Sequence, residues 1–171
     1  MTSQPPSNQL TDVVLRTAVP ADAEAAARCH LECWREAYRG LIPDSVLDSP
    51  TGLDQRIESW TTMITNGPLR LLAVADGEVA GFIHFGPGHD DDIDVDDELG
   101  AIYVRKAWWG TGLGQRLLAV SAPGVPDAYV WVLADNARAI AFYAKNGFVA
   151  DGASKFLARL DATEIRMVRR S

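Results

Sequence analysis

The spacing of apolar positions changes twice along the chain, and those changes mark out its elements. Val13, Val14 and Leu15 form a short apolar run of strand type, after which Pro20 and Asp22 occupy first-turn positions of a helix. Ala23, Ala26, Ala27, His30, Trp34, Ala37 and Tyr38 recur at helical spacing until Gly40 and Pro43 break the pattern. Leu53, Ile57, Trp60 and Ile64 repeat that spacing in a second helix, which Asn66-Gly67-Pro68 stops. The period then shortens. Apolar runs at 69–75 and 79–85 are joined by Asp76-Gly77, a strong hairpin signal. Residues 86–97, rich in Gly and Asp, read as a loop. Residues 99–104 and 129–133 read as two more strands, with a helix beginning near Gly110 between them. Asn136 caps a helix over 136–146 that Gly147 ends. Residues 148–156 are expected to bend at Asp151-Gly152, and 163–169 alternate as a final strand. Strands and helices interleaved in this order predict one mixed sheet covered by helices on both faces.

Length and charge narrow the picture. A chain of 171 residues suits a single domain, here 11–171, preceded by a polar stretch 1–10 that reads as a disordered leader. That stretch has neither a basic start nor an apolar segment, so it does not read as a signal peptide. No apolar run reaches the roughly 18 residues of a membrane span, and a cytoplasmic protein is expected. The formal charge of −7 argues against a nucleic-acid surface, which needs clustered Lys and Arg. Cys29 and Cys33 share one helical face, where packing as small apolar side chains is expected. With His30 and Glu32 they lack the second half of a zinc site, and no metal is expected.

The chemistry concentrates in 98–118. An apolar strand runs into Trp109-Gly110-Thr111-Gly112-Leu113-Gly114 and then into a helix. Glycines let backbone approach a ligand, and the first N–H groups of a helix have no partners within it. With the positive end of the helix dipole they form a phosphate site. The glycine spacing is not that of the dinucleotide fingerprint, and no Gly-Lys-Ser/Thr follows, which excludes a nucleoside triphosphatase loop. A strand-to-helix turn without a ligand is the plain alternative.

Positions 109–114 match, at Gly112 and Gly114, the Gln/Arg-x-x-Gly-x-Gly/Ala loop of the GNAT N-acetyltransferases, with Trp109 where the family has Gln or Arg. The stretch from Asp135 to Phe148 resembles the family's Asn-x-x-Ala-x-x-x-Tyr-x-x-x-Gly-Phe segment through Asn136, Ala139, Tyr143, Gly147 and Phe148. Trp34-Arg35-Glu36-Ala37-Tyr38-Arg39-Gly40-Leu41-Ile42-Pro43 is similar to a segment common in bacterial members of unassigned substrate. The resemblance implies a single-domain α/β fold with a mixed, mostly antiparallel sheet. It also implies acetyl-CoA as acetyl donor, a small-molecule amine or a peptide as acceptor, and frequent homodimerisation.

The resemblance assigns roles residue by residue. The main chain of Ile102, Tyr103 and Val104 would pair with the pantetheine arm, one N–H reaching the thioester carbonyl, where a fixed donor stabilises the developing oxyanion. Trp109, Gly110, Thr111, Gly112, Leu113 and Gly114 would hold the pyrophosphate. Asn136 would hold the arm, and Tyr143 would protonate the departing thiolate; the alternative is a Tyr packed on the sheet. Glu98 would take the amine's proton; the alternative is a solvated carboxylate. The base position other members use on the next strand is occupied by Trp131. Trp34 and Tyr38 would wall the acceptor pocket, or serve as core. The run Asp90, Asp91, Asp92, Asp94, Asp96, Asp97 reads as a solvated loop. His84 and His89 receive no role. A non-catalytic acyl-CoA-binding module is the alternative of another class.

Overall fold

The Asp76-Gly77 turn sets the first hairpin: both residues are left-handed, at φ 51° and 80°, which matches the twist of the flanking strands. The computed structural model describes residues 10–67, 69–124 and 127–170. The first nine residues of the expected leader and Pro68 therefore lie outside the described residues. Leu10, assigned to that leader, packs partly buried against the main core, and its carbonyl accepts a hydrogen bond from Arg116 at 2.7 Å.

Seven strands form one sheet: β1 (Val13–Thr17), β2 (Arg70–Ala75), β3 (Glu78–Pro87), β4 (Asp97–Val104), β5 (Ala128–Leu133), β6 (Val149–Leu157) and β7 (Ala162–Arg169). Their order is β1-β2-β3-β4-β5-β7-β6, and every pair is antiparallel except β4–β5. The helices are α1 (Ala23–Tyr38), α2 (Asp44–Leu47), α3 (Gly52–Asn66), α4 (Leu113–Ser121) and α5 (Ala137–Lys145). The mixed, mostly antiparallel sheet matches the sequence expectation, and so does the order of the long elements.

Four local differences have physical causes. The short α2 follows Pro43 and was not anticipated, because four residues are too few to show a period. The expected loop 86–97 shrinks to 88–96, because Gly86 and Pro87 pair with Glu98 and Asp97 across the β3–β4 ladder. The helix expected near Gly110 starts at Leu113, because Gly110 and Gly112 are both left-handed. The bend at 151–152 is a register slip between Ala150 and Ser154, with Gly152 at φ 95°.

Helices cover both faces. On one face α4 and α5 pack Leu113, Leu117 and Tyr143 against Ile83, Leu99, Val130 and Met167. On the other, α1 and α3 enclose Ala26, Cys33 and Trp60 over Leu72 and Phe82. Each large apolar side chain so buried contributes roughly 1.5–3 kcal/mol. Cys29 and Cys33 are free, buried thiols with sulfurs 3.9 Å apart. Among the described residues no helix is long and apolar enough to cross a membrane, and no group of three or more His, Cys, Asp or Glu could hold a metal ion.

His30 sits in the α1 core layer, where its Nδ1 accepts the Trp60 indole N–H at 3.3 Å. Burial, with Arg56 nearby, lowers its pKa to about 3. The folded pKa lies below the unfolded value, so the unfolded chain binds more protons in between. The contribution of neutral His30 is therefore complete above about pH 6.5 and is lost as pH falls towards 3. Acidification from pH 7 to 5 is expected to cost about 2 kcal/mol through this residue. Denaturant titrations of wild type and His30→Gln at both pH values check it: the variant should lose most of that pH difference.

Candidate active site

β4 is fastened to β3 along seven residue pairs but to its parallel neighbour β5 at one only, Glu98 with Tyr129. The ladder with β3 slips between His84 and Phe85, which pair with Ala101 and Leu99 and leave Gly100 as the extra residue. Such a bulge adds twist to the strand. A Cβ there would come within 2.7 Å of the His84 ring, which would have to shift to admit one. Beyond the Glu98–Tyr129 pair the two strands part, and a cavity of about 620 Å³ opens between them, lined by 98–104 on one side and 130–133 on the other. Main-chain groups of β4 that a neighbouring strand would normally satisfy thus face open space.

The cavity continues to the turn before α4. Trp109 is fixed by its indole N–H, which donates to Val104 O at 2.9 Å, so that carbonyl is taken. Gly110 and Gly112 adopt φ 75° and 91°. Thr111 Oγ1 donates to Trp108 O at 2.8 Å and receives Leu113 N–H at 3.4 Å. Among the described residues the N–H groups of Gly110, Gly112, Gly114 and Gln115 have no protein acceptor; the first helical bond is Arg116 N–H to Gly112 O. Four main-chain donors at a helix start, all in the cavity wall, make an anion site. The turn is braced from α1: Glu36 accepts from Arg105 Nε and Nη2, at 3.1 and 2.9 Å, and from Lys106 N–H at 2.7 Å.

α5 supplies the opposite wall. Asn136 is buried, lines the cavity, and accepts Ala139 N–H on its side-chain oxygen at 3.2 Å, as the expected cap. Tyr143, also on the cavity wall, is 7% exposed, and its hydroxyl has no hydrogen-bond partner among the described residues. Burial first, and Tyr38 next, push its phenol well above the ordinary value. Arg138 lays its guanidinium 3.7 Å from the centre of the Trp109 ring. A cation therefore stands beside the loop even though position 109 is not itself basic.

The other side of the gap is aromatic and acidic. Tyr38 and Tyr103 hydroxyls lie 3.0 Å apart, and burial raises both phenols, that of Tyr103 to about 12. The Tyr103 side chain thus reaches across to Tyr38 of α1. Trp131 carries the Lys155 ammonium 3.9 Å from its ring centre, and Lys155 pairs with Glu164 at 3.6 Å. Glu98 accepts the Tyr129 hydroxyl at 3.2 Å and contacts His89 Nδ1 at 3.3 Å.

Most residues singled out in the sequence meet at this cavity: Glu98, Ile102, Tyr103, Val104, 109–114, Asn136, Tyr143 and Tyr38. Trp34 does not; it packs under the Arg56 guanidinium, 4.8 Å from the ring centre, against Tyr38. The acidic loop departs from a freely solvated one. Arg166, 5% exposed on β7, gathers Asp90 at 2.9 Å, Asp92 at 2.5 Å and Asp151 at 2.7 Å, while Arg170 holds Asp94 at 2.6 Å. Sequence reasoning missed Glu36, Arg138, Tyr129 and Arg166, whose partners are remote in the chain.

Comparison with known proteins agrees with this geometry. Residues 68–150 match the family model described as an acetyltransferase (GNAT) domain. A Mycobacterium tuberculosis protein named as a probable N-acetyltransferase is 30% identical over 83% of each chain. An aminoglycoside N(6')-acetyltransferase of Stenotrophomonas maltophilia is 31% identical over 72% of this chain and 74% of its own. The PaiA N-acetyltransferase of Thermoplasma acidophilum, solved in complex with coenzyme A, superposes with a TM-score of 0.69 over 93% of this chain and 99% of that one, at 20% identity. The chain belongs to the GNAT family of acetyltransferases and is an acetyl-CoA-dependent acyltransferase.

Proposed function

We propose that this enzyme moves the acetyl group of acetyl-CoA to a primary amine of a small molecule, by direct attack within a ternary complex. One observation carries the reading: the four unpaired N–H groups around the start of α4 and the unpaired edge of β4 line a single cavity that also holds Tyr143. The pyrophosphate would sit on residues 109–114. The pantetheine would run along the main chain of Ile102, Tyr103 and Val104, with the Asn136 amide beside it. Glu98 accepts a proton from the amine, and the neutral nitrogen attacks the thioester carbon. The C–S bond breaks, the departing thiolate takes the Tyr143 proton, the acylated nitrogen passes its remaining extra proton to the Tyr143 phenolate, and Glu98 releases its own to water. Holding amine and thioester together supplies much of the acceleration.

The acceptor enters on the aromatic side, past Tyr38 and Trp131, with Trp34 supporting Tyr38 from behind. Glu98 offers an ammonium acceptor a carboxylate on the cavity wall, while Glu164 is already paired with Lys155. The aminoglycoside-modifying relative supports a small molecule rather than a protein N-terminus or lysine. A thiol-release assay with acetyl-CoA tests this against aminoglycosides, polyamines and arylalkylamines, with N-terminal and lysine peptides alongside. Turnover with an amine supports the reading. Turnover with peptides alone replaces it.

A further inference from the structure

Glu98 is held by an arrangement that the reaction scheme leaves unused. The Tyr129 side chain is fully buried, and its oxygen accepts two main-chain donors, His89 N–H at 2.7 Å and Asp90 N–H at 3.0 Å. A phenol has two acceptor sites and a single proton. With both acceptor sites engaged, the proton is left for the third neighbour, Oε2 of Glu98 at 3.2 Å. An ionised carboxylate only accepts, so the arrangement suits charged Glu98. Oε1 has no hydrogen-bond partner among the described residues, and Glu98 lines the cavity. The loop is shaped to this contact: a Cβ at Gly88 would lie 2.5 Å from the Tyr129 hydroxyl. Asp90 is tied in turn by the Trp131 indole at 3.0 Å and by Arg166.

We propose that Tyr129 is a positioning residue for the reaction: locked by the 88–96 loop, its hydroxyl grips one oxygen of Glu98 and presents the other to the incoming amine. The proposal rests on Glu98 being the base. The neighbours of Glu98 are few. His89 comes from the loop, in contact with the same oxygen; His84 comes from β3, with its basicity lowered by burial, then by Arg70; Asp90 lies on the far side of Tyr129 and is paired with Arg166. Burial raises the Tyr129 phenol, so it remains a donor through neutral pH.

The test is the Glu98 carboxyl titration, followed by carbon NMR in protein without acceptor, for wild type and Tyr129→Phe. A lost hydrogen bond to the charged form should raise the midpoint by roughly one pH unit. The acid limb of kcat/KM, measured with acetyl-CoA and the most active panel amine, should move with it. In parallel kcat should fall roughly tenfold while KM for acetyl-CoA stays constant. If Tyr129→Phe does not fold, 3-fluorotyrosine at 129 serves: its stronger donor should lower the midpoint instead. An unchanged Glu98 midpoint in the folded variant overturns the proposal, with Glu98→Gln inactive showing that the base assignment survives. Full activity in Glu98→Gln overturns both.

Discussion

Replacing Tyr143 with Phe is expected to lower kcat by at least about 100-fold while leaving KM for acetyl-CoA within a factor of two, the range for losing a positioned general acid. The side chain is buried on the cavity wall with an unpartnered hydroxyl, so its removal breaks no hydrogen bond of the resting protein. Phe keeps the ring contacts with Phe142 and Phe148, and the fold should be unaffected. The phenol is pushed upward by burial, so it stays protonated through neutral and mildly alkaline pH. No loss of activity below pH 10 should therefore trace to its ionisation. Steady-state thiol release measures all of this. A variant with wild-type kcat would return Tyr143 to the core and leave thiolate departure without its acid.

Gly112→Val should act on binding instead. Gly112 caps α4 at φ 91°, a conformation that a β-branched residue adopts only under strain. The added side chain would also press towards Leu10, whose Cδ1 lies 3.4 Å from the Cβ position. The backbone can relieve this only by rotating the N–H groups at 112–115 away from the cavity. Each misaimed donor weakens a charge-assisted hydrogen bond to phosphate, and together they should raise the Kd for coenzyme A by roughly 100-fold. Calorimetric titration with coenzyme A reads this directly. Gly110→Ala gives the comparison: at φ 75° with open space around it, it should cost strain alone and weaken binding less. Equal affinity of Gly112→Val and wild type would move the phosphate site off this turn.

The two motifs that carry the family resemblance are local, and that is why they could be read. A glycine turn between a strand and a helix, or an Asn cap with a Tyr two turns on, is specified by neighbours in the chain. Gly112 and Tyr143 were both legible in this way. Arg138 was not: its meaning comes from stacking on Trp109, which belongs to another element. Nor was Glu36, which reaches from α1 to brace the turn after β4. The acidic run was read as a solvated loop because charge clusters usually are. Arg166, its partner, lies on β7 and shows no sign of that role in its own surroundings.

What the sequence by itself determined is the order of elements, the glycine turn, the cap and the candidate acid, since periodicity and dihedral preference act over a few residues. The tertiary structure alone decided how far β4 and β5 separate, which carboxylates the arginines of β7 collect, and that Tyr129 spends its one proton on Glu98. Those depend on a single strand pairing and on contacts between residues far apart in the chain, where packing geometry rather than local preference sets the outcome.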